Sequence, residues 1–78
     1  MMTLISLDDL FSVAKYLDDL SVWVETDSTL GSTRRVRITH QGETALGESV
    51  GSVVQFSSYS RANTWSICAR VGIPFTFA

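Results

Sequence analysis

A histidine, a cysteine and one glycine-spaced segment are the parts of this chain whose residue types could do chemistry. Residues 42–49, Gly-Glu-Thr-Ala-Leu-Gly-Glu-Ser, have the glycine spacing of a phosphate-binding loop. Nucleotide binding needs a lysine after the second glycine to meet the β- and γ-phosphates. Glu48 stands there instead, and a carboxylate repels phosphate, so the segment reads as a connector. His40 is the sole histidine and Cys68 the sole cysteine. A zinc site draws four ligands mainly from Cys and His, and His40 has no Cys, Asp or Glu beside it at ligand spacing. It reads as a structural or solvent-exposed histidine at a strand end. A reactive thiol needs a neighbouring cation to lower its pKa. Arg70 is two residues from Cys68, yet a small semi-buried filler is the plainer reading. The serines lack a Gly-x-Ser-x-Gly context. No catalytic residue, cofactor or metal is therefore expected, and the chain does not read as an enzyme.

Charge is the stronger signal. Residues 1–33 carry Asp8, Asp9, Asp18, Asp19, Glu25 and Asp27 against Lys15 alone, whereas residues 34–78 carry Arg34, Arg35, Arg37, Arg61 and Arg70 against Glu43 and Glu48. The formal net charge of −2 hides this polarity. Arg34, Arg35 and Arg37 with His40 form a basic cluster. A nucleic-acid surface would interleave such residues with exposed aromatics. Trp23 could share a face with Arg37, but Glu25 and Asp27 fall on that face too. Cross-strand salt pairs with a cation–π contact are the expectation here, not direct nucleic-acid binding. The six acidic residues Asp8, Asp9, Asp18, Asp19, Glu25 and Asp27 form the candidate partner-binding surface. Such a surface gives fast, specific association with a basic groove on a larger protein or ribonucleoprotein complex. Its bland alternative is a solvated face that keeps a small protein soluble.

The elements that must position these residues follow from hydrophobic period. Residues 6–20 read as an amphipathic helix, with Ser6 as N-cap and Asp9 three residues on. Leu7, Leu10, Phe11, Val13, Ala14, Leu17 and Leu20 share one arc, and Asp8, Ser12, Lys15 and Asp19 the opposite one. Asp18 and Asp19 lie at the negative end of this helix, where local stability does not explain them. From residue 21 the period drops to two. Strands are expected over 21–27 and 34–41, joined by a turn at 28–33. Their pairing sums to about 60–62, which sets Val24 against Val36 and Glu25 against Arg35 or Arg37. Residues 42–51 read as a loop with one helical turn near Glu43–Leu46. A third strand is expected over 52–60, with Val54 and Phe56 facing the core. After a turn at 61–63, a fourth covers 64–71, with Trp65, Ile67, Ala69 and Val71 on one face and Cys68 on the other. Phe75 and Phe77 suggest a short fifth strand. The fold expected is α+β: one N-terminal helix packed on a four- to five-stranded antiparallel sheet, a single domain over 1–78.

At 78 residues the chain buries only about 60–65% of its unfolded surface, and one cysteine gives no internal disulfide. Homodimerisation is a natural route to extra stability. No secretory signal or membrane span is read, and the lone cysteine suits a reducing compartment, so a cytoplasmic location is expected. In size, acidic surface and absence of motifs, the chain resembles the small phage-encoded inhibitors of the anti-CRISPR kind. That resemblance implies a non-enzymatic protein that binds a CRISPR effector and blocks target DNA binding. These inhibitors share no motif, so it carries over no residue. The alternative is a self-assembling phage or bacterial structural protein, in which Phe75 and Phe77 add a strand to a neighbour.

Overall fold

The computed structural model describes residues 1–26 and 33–78. The elements run β1 (Thr3–Ser6), α1 (Leu7–Ala14), β2 (Leu20–Val24), β3 (Thr33–His40), β4 (Glu43–Val50), β5 (Val53–Phe56), a 3-10 turn (Ser58–Ser60), α2 (Arg61–Val71) and β6 (Thr76–Phe77). The strands form one antiparallel sheet in the order β2-β3-β4-β5-β1-β6. The α+β class holds, with six strands and two helices among the described residues rather than four or five strands and one helix.

Alternation along the strands sorts the side chains. Ile5, Leu20, Val36, Ile38, Ala45, Val54 and Phe56 point to one face and are buried with Leu10 of α1 and Ile67 and Cys68 of α2. The opposite face carries no helix among the described residues and exposes Trp23, Leu46, Val50 and Val53.

Helix α1 is shorter than its apolar arc suggests. Ser6 is extended and its hydroxyl accepts from the Asp9 amide, as the capping pattern predicts. The helix ends at Ala14, so Asp18 and Asp19 fall beyond its negative terminus and the expected dipole conflict never arises. Leu20, assigned to the helix by sequence, opens β2 instead.

The hairpin register follows the expected sum: Val24 faces Val36 and Trp23 faces Arg37. The expected turn at 28–33 falls, but for Thr33, outside the described residues.

Residues 42–51, expected to be a loop, are largely β4, a central strand. Gln41 and Gly42 both have positive φ, 49° and 82°, which closes the β3–β4 hairpin as a tight two-residue turn. Gly51, at φ 62°, opens the next one. The inward positions of β4 are Ala45, Gly47 and Ser49, too small to give an apolar alternation. Gly47 is small because Phe56 lies over it: a Cβ there would stand 2.7 Å from the Gln55 carbonyl oxygen and 2.8 Å from Phe56 Cδ1.

Residues 64–71, expected to be a strand, are part of α2. Thr64, Ile67 and Cys68 are buried and Val71 partly so. That is i, i+3, i+4, i+7 spacing, whereas Ala69, expected inward, is exposed. Gly72, at φ 78°, caps the helix with its amide donating to the Cys68 carbonyl. The helix also covers bare strand edge. β5 pairs with β4 only over Gly47–Val50. Beyond it, the Leu46 amide donates to Ser60 Oγ at 3.1 Å, and Asn63 Nδ2 donates to the Thr44 carbonyl at 2.9 Å. Phe75 and Phe77 pack around Trp65, whose Nε1–H donates to Thr3 Oγ1 at 3.0 Å.

Candidate functional site

The structure spreads the acidic residues over three places. Asp8 and Asp9 occupy the first turn of α1, where the helix dipole favours them. Asp18 and Asp19 lie past the other end of α1, roughly 12 Å of helix away, immediately before β2. Glu25 follows β2 at its far end. Asp27 lies outside the described residues. Glu25 bridges Arg35 at 3.4 Å, and its amide donates to the Arg35 carbonyl, as cross-strand pairing predicts. Arg35 is largely exposed, so this pair contributes little to stability. Asp8, Asp9 and Asp18 make no ion pair with any described residue.

Asp19 has a structural partner that sequence reading missed. His40 is buried at the end of β3, and its Nε2 lies 3.1 Å from Asp19 Oδ2. Its Nδ1 lies 3.2 Å from Arg70 Nε. A guanidinium only donates, so Nδ1 accepts and the ring proton sits on Nε2, donated to Asp19. Arg70 also pairs with Glu43, and it donates to Ser66 Oγ at 2.7 Å and to the His40 carbonyl at 3.4 Å. Ser66 in turn donates to Glu43 Oε1 at 3.0 Å. Arg70, then Ser66, holds the Glu43 carboxyl below the ordinary carboxylate range. The network ties α2 to β3, β4 and the start of β2. Both His40 nitrogens are engaged, so neither is free to take a proton from a substrate.

Cys68 is not on a polar strand face beside Arg70. It is in the core of α2, and burial pushes its thiol up to about 11. In the native protein at neutral pH, a thiol-specific reagent should modify it at least about a hundredfold more slowly than in urea. Labelling at the unfolded rate would place the thiol at the surface. The 42–49 segment forms a hairpin strand, not a phosphate cradle.

The basic cluster is dispersed in the expected manner. Arg37 lies over the Trp23 ring, 5.2 Å from its centroid, and Arg35 is held by Glu25. These residues belong to a feature that sequence reading did not find. The uncovered sheet face holds a groove of about 520 Å³, lined by Met2, Trp23, Arg35, Arg37, Leu46 and Gln55. It forms where β5 ends and β4 continues alone, so it is invisible until β4 is recognised as a strand. Glu48 stands opposite Arg35 in the β3–β4 register, and Glu25 bridges it, so the groove mouth is charge-balanced.

Among the described residues no three His, Cys, Asp or Glu side chains gather as a metal site, and no helix is long and apolar enough to cross a membrane. No family model, curated protein or solved structure matches the chain.

Proposed function

We propose that this protein acts by binding, as a small inhibitor of the anti-CRISPR kind that presents acidic surface to a basic, nucleic-acid-binding surface of a larger effector and blocks target DNA binding. The observation that carries this reading is the inequality of the charges. Arg35 and Arg70 are held by carboxylates and Arg37 and Arg61 lie over tryptophan rings, which leaves only Arg34 and Lys15 without such a contact among the described residues. Asp8, Asp9 and Asp18 have no such partner among the described residues. The groups suited to nucleophilic or acid–base work, Cys68 and His40, are buried and engaged in packing. Unneutralised carboxylates are thus what the chain offers a partner, and they would compete with phosphate for the same arginines and lysines.

The direct test is affinity capture from bacterial lysates expressing a CRISPR system, using wild type and an Asp8→Lys/Asp18→Lys variant. Both positions are exposed and make no ion pair with a described residue, so the variant keeps its fold. Asp19 is excluded from the reversal because it bonds His40. Wild type should retain a nucleic-acid-binding complex, and the variant should lose it by about tenfold or more. Equal recovery by both would overturn the acidic-surface reading. Self-assembly is the second reading, favoured by the exposed Trp23, Leu46, Val50 and Val53. Oligomers that grow with concentration and persist in salt would support it. In this fold Phe75 and Phe77 are already engaged with Trp65 of their own chain.

A further inference from the structure

The two edges of the sheet are not equivalent. At one, β6 is two residues long and preceded by Pro74, a blunted edge. At the other, β2 is five residues, Leu-Ser-Val-Trp-Val, with no proline, glycine or charge. The hydrogen-bond phase fixes which of its backbone groups are free. Glu25 donates to the Arg35 carbonyl, so Glu25, Trp23 and Ser21 bond toward β3. Val22 and Val24 therefore turn their N–H and C=O groups outward, and no described residue receives them. The side chains around this edge are half-finished: Leu17, Val22 and Val24 are only partly buried on the helix side, and Trp23 is exposed on the other. Acidic residues stand at both ends, Asp18 and Asp19 before the strand and Glu25 after it, with Arg35 offsetting only the last.

We infer that β2 is a docking edge to which an extended segment of the partner adds as an antiparallel strand, its apolar residues alternating and a Lys or Arg following them. This rests on the binding function proposed above and specifies its mode. Strand addition satisfies the outward Val22 and Val24 groups through the backbone, and side-chain positions set specificity. Running antiparallel, the segment ends beside Leu20, where Asp18 and Asp19 receive the basic residue. Its residue opposite Trp23 sits in a non-hydrogen-bonded pair, the closer kind, and can stack on the indole. Its neighbours on either side cover Val22 and Val24. A second copy of this chain is the wrong occupant. In a two-fold antiparallel pairing of β2 with itself, the Asp18–Asp19 end of each copy meets the Glu25 end of the other, where Arg35 is already held by Glu25 and supplies no free cation. Asp18 and Asp19 thus gain more from a basic guest than from a second copy.

The test uses an acetylated peptide, Val-Tyr-Val-Thr-Val-Arg-Lys, titrated into the isotopically labelled protein and followed by amide shifts and hydrogen exchange. Saturable binding should protect the Val22 and Val24 amides and shift Trp23. Raising salt from about 50 to about 500 mM should weaken it. Asp18→Lys, or ending the peptide in Glu-Glu, should weaken it by about tenfold. Val22→Pro should abolish it while leaving the β3 ladder intact, because the Val22 N–H makes no bond there. Methylating the peptide nitrogen opposite Val22 makes the same cut without touching the protein. Shifts centred on Leu46 and Arg37, indifference to the peptide's charge, binding that survives both backbone blocks, or self-association through β2 would each overturn the inference. A peptide that fails while the Asp8→Lys/Asp18→Lys variant still loses its effector removes strand addition alone. Failure of both removes the acidic-surface reading with it.

Discussion

Phe56→Ala should unfold this protein or bring it to the brink. Phe56 is fully buried, lies over Gly47 on β4, and faces Thr3 across β1. It therefore packs at the junction of three strands. Truncating a buried phenylalanine costs about 3–5 kcal/mol, through lost transfer energy and the cavity left behind. At about 0.05–0.15 kcal/mol per residue, the whole domain has about 4–12 kcal/mol. No disulfide exists to hold the remainder, since Cys68 is the sole cysteine. Urea unfolding followed by circular dichroism should show the midpoint lost or moved sharply down. A transition within a few degrees of wild type in a thermal scan would mean that the ring does not fill the core.

Gly47→Ala should destabilise by about 1–3 kcal/mol, although Gly→Ala in compatible backbone usually stabilises by about 0.4–1 kcal/mol. The sign reverses because of what the methyl would meet. One neighbour is the Gln55 backbone carbonyl at 2.7 Å, which cannot move without opening the β4–β5 ladder, and the other is the Phe56 ring. The two contacts can be separated. Phe56→Leu in the Gly47→Ala background should recover part of the loss, because the ring clash goes and the carbonyl clash stays. A Gly47→Ala variant as stable as wild type would show that the strands are further apart than described.

Legibility in the sequence followed the size of the inward side chains. Where a strand buries large residues, as with Val36 and Ile38 or Val54 and Phe56, alternation named the strand, its face and, for β2 and β3, its register. Where it buries Ala45, Gly47 and Ser49, nothing marks it. Those residues are small because Phe56 and α2 press on them from elsewhere in the chain. The exchange of helix for strand at 64–71 has a different cause. Trp65, Ile67, Ala69 and Val71 alternate, while Thr64, Ile67, Cys68 and Val71 recur at helical spacing. An eight-residue window fits both periods, and the glycine cap with Pro74 beyond it is the available discriminator. In the candidate site, Glu25–Arg35 is one of the two pairs that the expected register allows, and Trp23 with Arg37 follows from their shared strand face. The Asp19–His40–Arg70–Glu43 network is not legible in this way, because it joins residues brought together by α2, whose sequence alternates like a strand.

An acidic surface that occupies an effector's DNA site must compete with DNA for it. An effector complex captured by the protein should be purified, given a labelled target duplex, and titrated with wild type and with Asp8→Lys/Asp18→Lys, reading DNA bound by gel mobility. Wild type should displace the duplex in proportion to its occupancy of the effector, less effectively as salt rises, and the reversed variant should leave the DNA in place. An effector that carries both this protein and its full complement of DNA would contradict the proposed function.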